Sequence, residues 1–498
     1  MTETKSDTML DSGGKSVVAL MAALMAAIFA FQLNASMLSP ALATMRVELN
    51  TTDAQIGLTQ TVFFTSCAVF SLFLPRLGDL IGRKKVLLGI LGLTAIGCVV
   101  SALAVNVPML MAGRVIQGVA GPIVPMTLIM LHAKVTEDKK YAKLMAILTS
   151  VNGGIGGVDA ILGGWLAGTF GFRSVFWVMV GVAVLAIVLV FVYAEESTAA
   201  ETPKMDWAGV ISLAAAFLAA YLAINEIQKL AAANWALVAV ELVVAAVLFV
   251  AFWNIEKRQK APMVTTHYLK QRRTWGLLLT TLLTMTGVFA IMNGIVPALA
   301  QDTKVGAGMS ASVVSFATLT PYALVGLAFG PIAGVLASKF GYRAVLRTGL
   351  VVSVIGVLFG VYVCHAPSIW ALVVMSVALG VSYAGTANIM LNGLGVVLSP
   401  EDNPGYLPGL NSGAFNLGAG LSYAVLYAMQ NAFGAAGDAT NGYVGAMIGG
   451  VVLLALAFAA SLLIPKQGSS SSCRSCRRKG GAIRQALGIQ WFLNSLFH

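Results

Sequence analysis

Long uncharged apolar segments constrain this chain more than any other feature of its sequence. Fourteen stretches of about 18–27 residues carry almost no charge, and each is long enough to cross a hydrocarbon core of ~30 Å as a helix. Only 10% of the 498 residues are charged, against roughly 25% in soluble domains, so a water-soluble globule is excluded. A transmembrane β-barrel would instead show alternating segments of ~10 residues. The sequence therefore predicts an all-α polytopic membrane protein.

The predicted spans are separated by short polar connections, whose basic residues predict the orientation. The spans lie at 16–38, 55–75, 86–104, 108–131, 142–168, 174–194, 207–226, 235–254, 275–299, 310–334, 345–364, 368–396, 406–430 and 440–464. Because their number is even, both termini are expected on one side. Of the 31 Lys and Arg residues, 26 fall on that side and four on the other, namely Arg46, Arg173, Lys229 and Lys304. This asymmetry predicts cytoplasmic termini. The net charge of +11 therefore lies mainly on the cytoplasmic loops, where it reflects the topology and the anionic lipid of the membrane. We expect no nucleic-acid partner.

A short motif occurs twice in the chain. The segment 77–84 (LGDLIGRK) is matched by 336–343 (LASKFGYR), with the leucines and the glycines of the two copies 259 residues apart. A repeat in the same orientation predicts two similar bundles related by an axis along the membrane normal. The expected organisation is an N-terminal tail at 1–15, a six-helix bundle at 16–194, a linker with two extra membrane helices at 195–274, a second six-helix bundle at 275–465 and a cytoplasmic tail at 466–498.

The predicted tail beyond Pro465 has a different composition from the rest of the chain. A Gly/Ser-rich stretch is followed by a basic cluster, and then by apolar residues at loosely helical spacing over 482–497. Two interpretations stay open: an amphipathic segment on the inner membrane surface, or an extension of artificial or out-of-frame origin. Neither gives the tail a chemical function.

Ionisable side chains inside spans are candidate functional sites, because charge is costly in hydrocarbon. Arg114 in the fourth span and Asp159 in the fifth lie at similar depth, in the half of the membrane away from the termini. A buried Arg needs a partner, and Asp159 is the only carboxylate of the first bundle at a suitable depth. We therefore predict a pair in which Asp159 exchanges a proton and Arg114 sets its proton affinity. A permanent salt bridge between the two helices is the alternative.

Uncharged amides form a second set of candidates, for a substrate cavity. They lie in spans of both predicted bundles: Gln32, Asn34, Gln117, Asn293, Asn388, Asn392 and Asn411. If they face a cavity, these amides would hydrogen-bond a substrate. If they face one another, they would fasten helices.

Glycines in the fifth span predict a close approach of helices. The run 153–157 (GGIGG) precedes Gly163 and Gly164. A helix face without side chains lets a neighbouring helix approach and slide, so this face is either a packing surface or a seam on which two bundles rock.

The sequence contains no enzymatic constellation. None of the four His residues lies inside a membrane span, and no phosphate-binding G-x-x-x-x-G-K-[ST] loop is found. The pair Cys473 and Cys476 is only half a zinc site. We expect no metal, no cofactor and no enzymatic activity.

Several motifs resemble those of the major facilitator superfamily, and specifically of its fourteen-span drug:proton antiporter branch. The segment 77–85 (LGDLIGRKK) resembles the family's motif between spans 2 and 3. Arg114 with Gln117 resembles its span 4 motif, and 171–176 (GFRSVF) is similar to the segment after span 5. The resemblance covers about 16–465. It implies the family's fold: two six-helix bundles plus two inserted central helices, with fourteen transmembrane helices in all.

The resemblance also implies a cytoplasmic latch between the bundles. In the family, the acid and the arginine of the loop between spans 2 and 3 join the bundles in one state and separate in the other. That role passes to Asp79 and Arg83. The other predicted members of the latch are Gly78, Gly82, Lys84, Gly341 and Arg343.

The chain departs from this branch at two places. Asn34 stands where its members usually carry an acid in span 1, and Asp159 with Ala160 stands where they carry Gly-Pro. The carboxylate has in effect moved from span 1 to span 5. This change either relocates proton coupling or indicates a different transport mode.

Together these features predict a secondary transporter that works by alternating access. The expected function is proton-coupled export of small amphipathic compounds, with the direction implied by the resemblance. The alternatives are a symporter or facilitator for a neutral or anionic metabolite, a flippase for a lipid-like substrate, and a non-transporting membrane sensor. The expected partners are a small-molecule substrate, protons and membrane lipids, and the expected location is the bacterial plasma membrane, as a multi-pass protein.

Overall fold

The computed structural model describes residues 17–135, 144, 148, 156, 158–197, 206–227, 229, 233–258, 266–399, 406–434 and 439–465. The regular elements in these ranges are helices. In chain order the fourteen long ones are α1 (Val17–Glu48), α2 (Asp53–Ile81), α3 (Arg83–Ala102), α4 (Val107–Lys134), α5 (Val158–Phe170), α6 (Phe172–Tyr193), α7 (Trp207–Ile227), α8 (Trp235–Arg258), α9 (Arg272–Gln301), α10 (Ala311–Phe340), α11 (Tyr342–His365), α12 (Ile369–Val397), α13 (Tyr406–Gly434) and α14 (Ala439–Ser461).

Twelve helices of the described ranges are long and apolar enough to cross a membrane, two fewer than the fourteen predicted spans. The two that differ are α5 and α13. Of the fifth predicted span only Val158–Phe170 is described as a continuous helix, and most residues of 142–157 lie outside the described ranges. Helix α13 has 29 residues, but Asn, Ser, Gly and Gln interrupt its apolar surface. The all-helical membrane fold is confirmed, and the count of fourteen spans is not.

The helices form two groups that repeat the same packing, which we call the first bundle (α1 to α6) and the second bundle (α9 to α14). In the first group, α3 packs against α4 and α6, and α1 packs against α6. In the second group, α11 packs against α12 and α14, and α9 packs against α14. Adding eight to each helix number of a packed pair in the first group gives a packed pair in the second group. This is the arrangement expected of an internal repeat whose copies have the same orientation.

The repeated motif makes the same backbone turn in both copies. Gly82 between α2 and α3 has φ +118°, and Gly341 between α10 and α11 has φ +85°. Side chains with a Cβ avoid this left-handed region, so glycine is required at both turns. At Gly82 space is a second reason, because a Cβ would lie 2.6 Å from the carboxyl group of Glu196.

Five of the long helices contain a segment of different winding. Short 3-10 segments occur in α1 (Ser39–Ala41) and α4 (Gly118–Ala120), and π segments occur in α9, α10 and α12, at Ile291–Ile295, Ser315–Leu319 and Gly380–Ala387. Such changes of winding leave backbone groups without helical partners and are frequent at functional sites. In α1 the change coincides with Pro40, which has no N–H to donate.

Helices α7 and α8, which the sequence predicts to be inserted between the bundles, pack mainly on each other. Leu213 of α7 and Phe252 of α8 are buried together and meet Leu72 of α2 and Leu410 of α13. Most of the remaining surface of α8 is apolar and exposed. This surface suits lipid contact, which needs no protein partner.

Candidate functional site

Arg114 is held inside the first bundle by oxygens that carry no formal charge. The side chain is fully buried. Its Nη1 donates to Oε1 of Gln117 (2.6 Å), both Nη atoms donate to the carbonyl oxygen of Asn34 (3.2 and 3.3 Å), and Nη2 donates to Oε1 of Gln60 (2.8 Å). The guanidinium carbon lies 3.9 Å from the ring centroid of Phe63. Dipoles and an aromatic face thus surround the cation in place of a carboxylate.

The helices around Arg114 explain why these oxygens point toward it. Gln117 lies three residues further on α4, on the same face, and its Nε2 donates to Oγ of Ser101 on α3 (2.9 Å). Asn34 lies in the last turn of the helix Val17–Ser36, where carbonyl oxygens have no helical partner and the helix dipole is negative. The end of this helix therefore helps to compensate the buried charge.

Two glycines bring α3 and α4 close enough for this arrangement. A Cβ at Gly97 would lie 2.8 Å from the backbone nitrogen of Gln117, and a Cβ at Gly113 would overlap with Oγ of Ser101. Neither position has room for a side chain. The close contact of the helices places the hydroxyl of Ser101 within hydrogen-bond distance of the amide that orients Arg114.

The predicted pair of Arg114 and Asp159 is not formed. Among the described residues, no ion pair joins the two side chains, and Asp159 contacts Ser36 instead. Similar depth therefore does not bring the two side chains together in this state, and the roles of Asp159 and Arg114 in proton exchange stay predictions. Arg114 contacts the backbone carbonyl oxygen of Asn34, whereas Asp159 contacts the side chain of Ser36, so the two charged groups meet α1 at different places.

Asp159 ends a short chain of hydrogen bonds from α1. Oγ of Ser36 donates to Oδ2 of Asp159 (2.5 Å), and Nε2 of Gln32 donates to Oγ of Ser36 (3.2 Å). The carboxyl group is 4% exposed, and its Oδ1 has no hydrogen-bond partner in the described part of the chain. A buried carboxyl group with one free oxygen is a candidate for binding a proton or another donor.

The break in helix α1 connects the surroundings of Arg114 and Asp159 to the second bundle. Ser36 lies at the end of the first helical segment of α1 and contacts α5, and Ser39 begins the 3-10 segment. Oγ of Ser39 donates to Oδ1 of Asn293 on α9 (3.4 Å), and Nε2 of Gln301 donates to the carbonyl oxygen of Pro40 (3.2 Å). One short stretch of α1 therefore contacts α4, α5 and α9.

The two bundles touch near the end of the molecule that carries the connection between α1 and α2, which we call the α1/α2 end. The charge distribution predicts that this end faces away from the cytoplasm. Among the described residues, four hydrogen bonds cross between the bundles here: Ser39 to Asn293, Gln301 to Pro40, Thr61 Oγ1 to the Gly420 carbonyl oxygen (3.0 Å), and Ser315 Oγ to the Ala160 carbonyl oxygen (2.7 Å). These bonds close the space between the bundles at this end.

The glycine face predicted in the fifth span forms part of this contact. A Cβ at Gly164 would overlap with Oγ of Ser315 and lie 2.5 Å from the carbonyl oxygen of Ala311, both on α10. A Cβ at Gly163 would overlap with the carbonyl oxygen of Met37 on α1. The predicted close approach is confirmed for these two glycines, whereas 153–155 and 157 lie outside the described residues.

A cavity of about 1090 Å³ lies above these contacts at the α1/α2 end. Its lining includes Arg46 and Asp53, which form an ion pair (3.4 Å), and Asp302 and Tyr443, whose hydroxyl donates to Asp302 (3.1 Å). The cavity is large enough for a small organic solute, and its wall is polar and apolar in about equal parts.

Aromatic rings from both bundles lie below this cavity. Phe64 of α2 meets Phe289 of α9 edge to face, with ring centroids 5.2 Å apart, and is parallel to Tyr423 of α13 at 6.4 Å. Phe289 and Tyr423 are 6.1 Å apart. The cluster packs directly beside the Arg114 site, because Phe63 and Phe64 are neighbours on α2.

The predicted amides of the second bundle are not brought together. Asn411 fastens helices, because its Oδ1 accepts from Thr281 Oγ1 (2.7 Å) and its Nδ2 donates to the Leu391 carbonyl oxygen (3.3 Å). Asn392 is exposed and donates to the side chain of Asn388 (3.0 Å) on its own helix. Among the predicted amides of this bundle, Asn293 alone has a described hydrogen bond to the first bundle.

The predicted latch is organised within the first bundle. Asp79 Oδ1 and Arg83 Nε form an ion pair at 2.7 Å, and the carboxylate of Glu196 accepts from the backbone N–H groups of Lys84 (3.0 Å) and Lys85 (3.3 Å). The Glu196 carboxylate thereby caps the start of α3. No hydrogen bond or ion pair of the described residues joins Asp79 or Arg83 to the second bundle. A latch between the bundles therefore stays a prediction.

The second copy of the motif keeps the turn but not the cap. Among the described residues, no atom lies within 4 Å of the place that a Cβ of Gly341 would occupy, so its positive φ is the sole demand for glycine there. Nε of Arg343 has no hydrogen-bond partner within the same ranges. Ser338, which occupies the position of Asp79, donates to the carbonyl oxygen of Val335 in its own helix (2.8 Å).

Five residues of the site are not predicted from the sequence: Ser36, Ser39, Gln60, Phe63 and Tyr423. Gln60 had a detectable signal, as a polar residue inside an apolar span. The two serines had another, because both lie within four residues before Pro40. The aromatic residues had none, since rings are common in membrane helices and only their neighbours distinguish them.

A protein-family model matches the chain twice. The family is described as Major Facilitator Superfamily, and the matches cover residues 24–306 and 277–489. Together they extend over both bundles and the inserted helices.

Among curated proteins, the Uridine/deoxyuridine transporter of Lactococcus lactis subsp. cremoris is 59% identical over 464 residues, covering 92% of this chain and 96% of that protein. The Multidrug resistance protein Stp of Mycobacterium tuberculosis is 26% identical over 364 residues, covering 72% of this chain and 66% of that protein. The similarity to multidrug proteins is thus far weaker. Multidrug efflux and the drug:proton antiporter branch are not supported.

Solved structures share the fold at low identity. A variant of the nucleoside transporter NupG superposes with a TM-score of 0.63 at 13% identity, covering 90% of this chain and 100% of that chain. An auto-inhibited peptide transporter of the POT family superposes with a TM-score of 0.66 at 15% identity, covering 92% and 98%. At these identities the likeness concerns the fold alone.

Proposed function

The chain belongs to the major facilitator superfamily, and from this premise we propose that it carries uridine-type pyrimidine nucleosides across the membrane by alternating access. The observation that carries this proposal is the 59% identity to the uridine/deoxyuridine transporter over 92% of the chain. A match of this length includes both bundles, and a substrate site between the bundles draws residues from each of them.

The chemistry of the contact between the bundles supports a neutral, planar substrate. Hydroxyls, an amide and aromatic rings line this contact, as given above for Ser39, Asn293 and Tyr423. The acidic residues of the second bundle, Asp302, Glu401, Asp402 and Asp438, lie between its predicted spans. The predicted spans of the second bundle therefore offer no carboxylate to a cationic drug, whereas a nucleoside needs hydrogen bonds and stacking. A neutral metabolite is one of the alternatives that the sequence leaves open.

Uptake by the full-length protein in proteoliposomes tests this function. We expect saturable uptake of radiolabelled uridine, inhibited by unlabelled deoxyuridine, and no movement of the cationic dye ethidium beyond that in empty vesicles. Ethidium transport without uridine transport would contradict this proposal and favour multidrug efflux as the function. Uridine uptake that does not saturate would indicate a leak rather than a carrier.

We also propose that Asp159 couples transport to protons. Its carboxyl group is buried, keeps one oxygen without a partner among the described residues, and is not tied to Arg114. Ala160, the next residue, accepts the hydrogen bond of Ser315 from the opposite bundle. A change in the charge of Asp159 would therefore act one residue away from the contact that must open during transport.

Finally, we propose that α5 and α13 also cross the membrane, which gives fourteen crossings and cytoplasmic termini. Helix α13 packs along α2, α9 and α14, all of which are long enough to cross. Helix α5 contacts α1 and α10 through its glycines. A helix with such neighbours along its length shares their direction through the membrane.

A further inference from the structure

We infer that Asn293 reads the edge of the pyrimidine ring, and that the fixed orientation of its amide selects uracil over cytosine. This inference rests on the proposed nucleoside transport and names the residue that gives it base specificity. It is carried by the position of Asn293 between the bundles, by the hydrogen bonds of its amide and by the rings around it.

Asn293 lies where the bundles must separate. Its side chain is 7% exposed, and its hydrogen bond to the first bundle, from Ser39, is long at 3.4 Å. Because Ser39 and Asn293 belong to different bundles, opening of the α1/α2 end breaks this bond. The amide then faces the widened space between the bundles, and a substrate that enters can replace the lost partner.

The backbone around Asn293 is held from its own bundle. The segment Ile291–Ile295 is π-helical, and Pro297, four residues after Asn293, has no N–H to donate to its carbonyl oxygen. The hydroxyl of Tyr423 donates to this oxygen instead (3.2 Å). Tyr423 and Asn293 therefore stay together when the bundles part.

The orientation of the amide is set by its own helix. Nδ2 of Asn293 donates to the carbonyl oxygen of Phe289 (3.0 Å). Rotation of the amide by half a turn would place Oδ1 against that carbonyl oxygen, and two acceptors repel. Once Ser39 withdraws, the amide presents a free acceptor, Oδ1, beside a free donor, the second N–H of Nδ2.

This order of groups complements uracil and not cytosine. Uracil carries a donor at N3 and an acceptor at O4, so N3–H can donate to Oδ1 while O4 accepts from Nδ2. Cytosine carries an acceptor at N3 and a donor at N4, the reverse order. In the orientation that uracil adopts, cytosine could pair only with a rotated amide, at the expense of the bond to Phe289.

The adjacent rings provide the faces of such a site. Phe64 belongs to the first bundle, whereas Phe289 and Tyr423 belong to the second. Separation of the bundles therefore exposes ring faces beside the amide of Asn293. A planar base stacks on such faces whatever the arrangement of its hydrogen-bond donors and acceptors. The amide of Asn293 is therefore the group that distinguishes uracil from cytosine.

The substitution Asn293→Asp tests this inference, because it changes the donor of the amide into an acceptor at nearly constant volume. We expect the half-saturation concentration of uridine to rise about tenfold or more, as for the loss of a bidentate contact to a base, and the ratio of cytidine to uridine affinity to rise with it. Asn411→Asp is the matched control. It makes the same change at an amide that fastens helices, and should lower stability without changing that ratio.

Two further measurements cover the case in which Asn293→Asp does not fold. Asn293→Ser removes both groups of the amide, and should bring the affinities of uridine and cytidine together. With the unchanged protein, N3-methyluridine lacks the donor and should compete about tenfold less well than uridine, by the same loss of a base contact. Equal competition by N3-methyluridine, or an unchanged ratio in a folded variant, would overturn the inference. Absence of uridine transport by the unchanged protein would instead refute the proposed function.

Discussion

A buried arginine does not require a carboxylate when enough dipoles converge on it. Arg114 has two side-chain amides, a backbone carbonyl at a helix end and the face of Phe63 around its guanidinium. Each contact stabilises the cation without adding a second charge that would itself have to leave water. The consequence is that Asp159 is released from this pairing, and its carboxyl group is available for other chemistry.

The substitution Asp159→Asn distinguishes proton coupling from the transport of uridine itself. Asp159→Asn keeps the size of the side chain and its contact with Ser36, but it removes the exchangeable proton. We expect exchange of uridine between two sides at equal pH to continue, while accumulation driven by an imposed pH gradient is lost. Both are measured with radiolabelled uridine in proteoliposomes.

Ser36→Ala is the control for this experiment. It removes the hydroxyl that contacts the carboxyl group but leaves the titratable group, so gradient-driven accumulation should persist, with a shifted dependence on pH. If Asp159→Asn accumulates uridine as well as the unchanged protein at every gradient, Asp159 has no part in coupling.

Helix α5 is the element whose composition is explained most directly by its neighbours. Its glycines face α1 on one side and α10, from the other bundle, on another. A contact made without side chains has no interlocking ridges and can separate and re-form with little rearrangement. This suits a surface that must open once in each transport cycle.

Two alanine substitutions in α5 measure how tight this surface is. Gly164→Ala places a Cβ within 2.5 Å of α10, whereas at Gly168 the nearest atom, Cβ of Ala311, is 4.0 Å away. Both changes raise helix propensity by about 1 kcal/mol. We expect Gly164→Ala to be destabilising by about 1–3 kcal/mol through overpacking and to slow uridine uptake, and Gly168→Ala to be neutral or stabilising.

The measurements for this pair are the melting temperature of the purified protein and the initial rate of uptake. Equal behaviour of the two variants would mean that α5 and α10 are not in close contact in the membrane. A loss of stability without a slower rate would make the glycine face a packing surface alone.

For the whole molecule, the described contacts between the bundles indicate one state of a transport cycle. The bonds that cross between bundles lie at the α1/α2 end, while at the opposite end Asp79 and Arg83 pair with each other. In alternating access, closure at one end accompanies opening at the other. The structure therefore resembles the state that is closed on the side predicted to face away from the cytoplasm.

The number of membrane crossings is tested by labelling single cysteines on either side of α13. In a background without the native cysteines, Asp438→Cys should react with a membrane-impermeant thiol reagent in intact cells, and Asp402→Cys only after permeabilisation. This outcome follows if α13 crosses the membrane and the basic residues mark the cytoplasmic side.

Lys304→Cys, predicted to lie outside, provides the positive control for this labelling. If Asp402→Cys and Asp438→Cys react from the same side, α13 does not cross the membrane. The charge-based assignment of the later connections would then be wrong.

The sequence by itself determined the class of fold, the positions of twelve membrane helices and the repeat, because each depends on properties that are local in the chain. Apolar length decides whether a helix can cross a membrane, and the paired turns at Gly82 and Gly341 follow from a motif of eight residues. Gly164 likewise signalled close packing through its missing side chain. These features need no knowledge of which helices are neighbours.

Only the tertiary structure decided the partners of the buried polar groups. Depth in the membrane can be counted along a sequence, but the direction of a side chain around its helix, and the helix it meets there, depend on how all the helices pack. Arg114 therefore finds Asn34 and Gln60 rather than Asp159, and Asn293 finds Ser39 across the bundles. These pairings are settled by contacts between residues far apart in the chain, for which the sequence has no local signal.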